Sequence, residues 1–102
     1  MSGRLLSAAI NFNASGDNTV VSATGFHTIR IFGLFFTVAG ATNITFKDGA
    51  NSLSAAVVFS GSGSSMTLQP NDNAFFICKS GDFIMNNSNA VQVSGTVYYQ
   101  AV

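Results

Sequence analysis

Apolar and polar side chains alternate along most of this chain, and a turn signal breaks the alternation about every ten residues. Residues two apart lie on one face of a β-strand, so this period specifies strands with one face toward a core. In RLLSAAINF, Leu6, Ala8, Ile10 and Phe12 share a side. TVVSA follows a turn over SGDN, and HTIRIFGLFFTVA reads as a long third strand. NITFK turns Ile44 and Phe46 inward and Thr45 and Lys47 outward, and the turn pair Asp48-Gly49 ends it. SLSAAVVFS keeps Leu53, Ala55, Val57 and Phe59 in phase, and SGSGSS after it is a flexible loop. SMTLQP stops at the only proline, Pro70, and PNDN turns the chain. AFFICK and FIMNN are joined by Ser80-Gly81-Asp82, read as a hairpin-type turn. AVQVSGTVYYQAV closes the chain with Val91, Val93, Val97 and Tyr99 on one face.

No window keeps an i, i+3, i+4, i+7 apolar pattern for three turns, so helix is at most a single turn. About eight to nine strands at this spacing predict an all-β fold, an antiparallel jelly roll or β-sandwich. With no linker, repeat or charge run, residues 1–102 form a single domain. The expected core is Leu6, Ile10, Ile29, Ile31, Ile44, Phe46, Val57, Phe59, Phe75, Ile77, Val91, Val93 and Val97. The first and last strands are both long, and a jelly roll would place them in the same sheet.

Charge narrows the class of partner. Only 8% of residues are Asp, Glu, Lys or Arg, and Glu is absent, against about 25% in an ordinary domain. The hydrophobic fraction is 47%, so a core can form, and the polarity comes from Ser, Thr, Asn and Gly. Such a surface suits contact with other protein. Arg4, Arg30, Lys47 and Lys79 are scattered and matched by four Asp, which leaves no basic patch for nucleic acid. LLSAAI is too short for the apolar core of a signal peptide, and no segment approaches the ~18 apolar residues of a membrane span. The expectation is synthesis in the cytoplasm and a soluble or particle-bound product.

Residues able to do chemistry are few. His27 is the only histidine, which excludes a multi-histidine metal centre within one chain. No G-x-S-x-G elbow accompanies it, and SGSGSS lacks the lysine and helix of a phosphate loop. Asp17, Asp48, Asp72 and Asp82 all fall in predicted turns, where a carboxylate caps local backbone N–H groups. Cys78, in a strand-like run, reads as a small buried apolar residue. The chain is expected to have no catalytic residues, no cofactor and no metal. NAS, NIT and NNS match a glycosylation acceptor pattern, but chance supplies such triplets in a chain this rich in Asn, Ser and Thr.

One stretch resists the alternating pattern. From Ile31 to Phe36 the residues Ile31, Phe32, Leu34, Phe35 and Phe36 are all apolar around Gly33. A two-layer sandwich has one interior, so the second apolar face must meet a neighbour, a covering loop or water. One solution is a bulge at Gly33 that swaps which residues face in. The other is a subunit interface, favoured by the sparse charge, the Phe pairs at 35–36 and 75–76, and Tyr98-Tyr99. On that reading Arg30, Phe32, Leu34 and Phe36 face a partner, and Phe35 lies inward with Ile29 and Ile31.

The succession GDNTVV, IRIFGL, ITFKDG and VQVSGTVYY, at Gly16–Val21, Ile29–Leu34, Ile44–Gly49 and Val91–Tyr99, resembles the small β-rich structural proteins of tailed bacteriophages. Some of these are capsid decoration (cement) proteins. The resemblance implies a non-enzymatic virion protein on the capsid exterior. It would act as a homo-oligomer, a trimer, that binds the major capsid protein and stabilises contacts between its copies. The alternative it implies is a tail or fibre-tip module binding a host glycan or another virion protein. Neither reading involves nucleic acid or membrane.

Overall fold

A computed structural model describes residues 5–23, 28–79 and 81–102. Their regular structure is all strand: β1 (Leu6–Phe12), β2 (Gly16–Val21), β3 (Ile29–Val38), β4 (Thr42–Asp48), β5 (Asn51–Ser52), β6 (Val57–Phe59), β7 (Ser65–Leu68), β8 (Phe76–Cys78), β9 (Phe83–Asn87) and β10 (Val93–Ala101). They form two five-stranded antiparallel sheets. The first runs β1-β10-β3-β7, with β8 also on β3; the second runs β2-β9-β4-β5, with β6 also on β4.

The pairing explains the topology. β1 pairs with β10, β2 with β9, β3 with β7 and β8, and β4 with β5 and β6, so the chain doubles back on itself as one long ribbon. Rolling that ribbon brings β10 against β3 and β9 against β4. This is jelly-roll connectivity. The ten strands act as eight legs once β5 with β6, and β7 with β8, are each taken as one broken leg. The terminal strands lie side by side in one sheet, as the sequence implies.

Phenylalanines fill the space between the sheets. Phe46 of β4 stacks on Phe76 of β8 at 4.8 Å and on Phe83 of β9 at 6.1 Å, and Phe36 of β3 meets Phe59 of β6 at 5.3 Å. Ile10, Ile29, Ile31, Ile44, Phe46, Phe59, Val93 and Val97 are buried as expected, while Leu6, Val57 and Val91 are half-buried. Phe75 and Ile77 are exposed instead, because β8 pairs Ile77 with Arg30 and turns Phe76 and Cys78 inward. A slip of one residue inverts the faces of a strand. Cys78 is a buried free thiol.

The segment around Gly81-Asp82 is not a hairpin. β8 belongs to the first sheet and β9 to the second, so this connection crosses the sandwich. Asp48, at the end of β4, holds it: its carboxylate accepts the N–H of Lys79 at 3.0 Å and of Gly81 at 2.8 Å. Asp82 answers by accepting the Ala23 N–H at 2.7 Å through its side chain and the Gly49 N–H at 2.9 Å through its carbonyl. Asp48 and Asp82 thus cap backbone groups, as read. Gly49, with φ +58°, makes the turn between β4 and β5. At the other end of the β4–β9 pair the buried Asn87 carbonyl oxygen accepts from Thr42 Oγ1, and its amide donates to the Ala14 and Val91 carbonyls. Asp17 departs from expectation: it lies within β2, where it accepts from Asn86 at 2.7 Å and pairs with Lys47 at 2.9 Å. Those bonds, Asn86 first, lower its carboxyl pKa below the ordinary 3.8.

Candidate functional site

The Ile31–Phe36 stretch lies in β3, in the middle of the first sheet, and its register against β10 breaks once. Tyr99 faces Ile31 and Tyr98 faces Gly33, so Phe32 is an extra residue with no opposite number. A bulge of this kind interrupts strict alternation. Before it, Ile29 and Ile31 point inward; after it, Leu34, Phe36 and Val38 do. Leu34 and Phe36 are each 1% exposed and belong to the interior, so they do not share the face of Arg30. Phe35, expected inward, is 44% exposed.

Phe32 is covered by its own chain. It is 4% exposed yet lies outside the interior cluster, and with Arg30, Asp72, Asn73, Ala74, Ile77 and Gln100 it lines an external groove of about 670 Å³. The cover is the segment between β7 and β8. β7 pairs with Leu34–Thr37 and β8 with Ile29–Ile31, and the intervening residues leave the sheet opposite the bulge. They rejoin it where Phe75 N–H donates to the Ile31 carbonyl at 2.7 Å. Pro70 crosses so close to Gly33 that a Cβ there would lie 2.6 Å from its Cγ. Bulge, glycine and proline form one device. Of the four residues expected at an interface, only Arg30 is exposed.

The first sheet nevertheless keeps an open outer face. Ser7, Ala9 and Asn11 of β1, Ser94 of β10, Phe35 and Thr37 of β3, and Ser65 and Thr67 of β7 are all exposed on it. Half-buried Thr96 and Tyr98 lie among them, and Thr96 and Thr67 flank Phe35. None of these side chains is charged. Arg30 stands at one end, near the exposed Ile77 and Phe75. Among the described residues Arg30 has no ion pair. The second sheet differs, since its outer face carries the Asp17–Lys47 pair and Asn86. Phe35 is the residue that alternation alone misplaces; the signal that finds it is Gly33 read as a phase change.

Among the described residues no group of three or more His, Cys, Asp or Glu converges as a metal site requires. His27 lies outside the described residues, as does Arg4. The Cys78 thiol, desolvated by burial and repelled by the Asp48 and Asp82 carboxylates, has its pKa pushed up to about 12. It is held as a neutral thiol, unsuited to nucleophilic work. No protein-family model and no curated protein matches the chain.

Proposed function

We propose that this chain is a non-enzymatic structural module of a tailed-phage virion, a capsid decoration protein. It docks on the outside of the head through the outer face of the β1-β10-β3-β7 sheet and stabilises contacts between neighbouring major capsid proteins. The observation that carries this reading is Phe35. A large aromatic stands 44% exposed at the centre of an uncharged face of a chain that has few charges anywhere. Aromatic enrichment and charge depletion mark the centres of protein interfaces. The resemblance of GDNTVV, IRIFGL, ITFKDG and VQVSGTVYY to phage structural proteins supplies the virion context.

The mechanism is mechanical. Four strands about 4.8 Å apart and some six residues long present roughly 400 Å². That is about half of what one partner gives to a stable isolated complex. Such a contact holds when many are made together, each copy keeping the next in place on a repeating shell. Area added between capsid subunits then opposes outward pressure from the packaged genome.

A tail or fibre-tip module is the second reading, and the groove favours it. Arg30 and Asn73 beside the exposed Ile77 offer planar polar groups next to an apolar platform, the mixture that a glycan pocket uses. Copy number separates the two. Quantitative staining of purified virions is expected to give a count near that of the major capsid protein. A few copies per particle would instead support the tail reading.

A further inference from the structure

Four edges bound the two sheets, and three of them are blunted. β2 carries Asp17 and a register shift between Thr19 and Val21. β7 and β8 are separated by the Pro70 excursion, and β5 and β6 are two and three residues long. Charge, irregularity and short length are how proteins keep sheet edges from pairing with other chains. β1 has none of these. It runs seven residues in unbroken register on β10, with no proline, glycine or charged side chain. Among the described residues no backbone hydrogen bond reaches it except from β10.

We propose that β1 is a self-association edge, pairing antiparallel with β1 of a second copy across a two-fold axis at Ala9. The strand is self-complementary about that residue. Pairing centred there sets Leu6 opposite Phe12, Ala8 opposite Ile10, Ser7 opposite Asn11 and Ala9 opposite itself, so all seven residues find partners. On the inner side Leu6, Ala8 and Phe12 are only half-buried, and the second strand covers what remains. On the outer side the exposed Ser7 and Asn11 meet as a polar pair. A centre at Ala8 or Ile10 leaves two residues of each strand unpaired. The chain has zero net charge, so two copies approach without repulsion. The resulting contact is isologous and closes at two copies, in place of the trimer implied by resemblance. Their first sheets become one continuous sheet with a doubled outer face. The pairing does not depend on the virion reading.

Sedimentation equilibrium of the full chain, from about 1 µM to about 1 mM, tests it. The wild type is expected to form a dimer within that range. Ala9 is exposed, so Ala9→Lys and Ala9→Glu leave the thermal melt near that of the wild type while setting like charges face to face across the axis. Each variant alone should dissociate at least tenfold more readily, and an equimolar mixture of the two should recover the dimer. A wild type that remains monomeric at about 1 mM overturns the proposal. So does a trimer indifferent to both variants, or a dimer that each charged variant retains.

Discussion

Gly95 and Gly33 are both places where a side chain would collide, and what it would strike differs. At Gly95, opposite Ile10 and Phe36, a Cβ would run into the Phe35 carbonyl oxygen and come within 2.6 Å of Phe36 Cα. Those atoms belong to the central strand and cannot move without breaking the β3–β10 ladder. At Gly33 the obstacles are the Pro70 ring at 2.6 Å and the Leu68 carbonyl oxygen at 2.9 Å, longer approaches and to an edge strand instead of the central one. Gly95→Ala should therefore cost about 3 kcal/mol or more and Gly33→Ala about 1–2 kcal/mol, readable as midpoints in urea unfolding. Cys78 makes a prediction of opposite kind, about pH. Its ordinary pKa of 9.0 is raised to about 12 in the fold by burial and by Asp48 and Asp82. The unfolded chain releases that proton first. The thiol's contribution is therefore intact below pH 9 and is lost as pH rises from there toward 12. Cys78→Ser should flatten that alkaline decline relative to the wild type, measured as the slope of stability between pH 9 and 11.

Asp48 ties together elements that local sequence would leave apart, since β8 and β9 belong to different sheets. Removing its carboxylate strands the Lys79 and Gly81 N–H groups beneath the turn. Asp48→Ala is expected to cost about 2–3 kcal/mol, with hydrogen exchange accelerated first at Lys79, Gly81 and Gly49. An unchanged melt would show that water satisfies these groups as well as the carboxylate does. This element also marks how far the sequence could be read. Asp48-Gly49 announced its turn because the left-handed φ of Gly49 is a local demand, and β4 showed its faces because Lys47 and Thr45 break the apolar run. In AFFICK the one polar marker is the terminal Lys79, which is in phase with Ile77 and Phe75. Read from the apolar run alone they face inward, and the exposed Lys79 marks the outward phase that they take. Gly81-Asp82 has the chemistry of a hairpin turn, yet turn chemistry does not encode which sheet the chain enters next. In β3 both solutions to the doubled apolar face were legible. The choice between them depended on Pro70, 37 positions beyond Gly33, crossing the bulge.

The whole molecule is a sandwich with one busy face and one open one. The outer side of the second sheet is fastened by the Lys47–Asp17 pair, a contact exposed enough to add little to stability and lost as acid protonates Asp17 below its ordinary 3.8. The outer side of the first sheet has no charge along its length until Arg30, and Phe35 stands at its centre. Leu34 and Phe35 thus divide folding from docking between adjacent residues, and the same substitution at each separates the two. Leu34→Asp buries a carboxylate in the core, at a cost of several kcal/mol that a domain of this size can scarcely bear. Phe35→Asp sets that charge on a surface already open to water. The decisive measurement is binding of the purified chain to capsids that lack it, with thermal melts of both proteins alongside. Phe35→Asp should melt within a few degrees of the wild type and lose at least tenfold in affinity for the shell. A Phe35→Asp variant that folds and binds as the wild type does would contradict the account, and the first sheet's outer face would not be the docking surface.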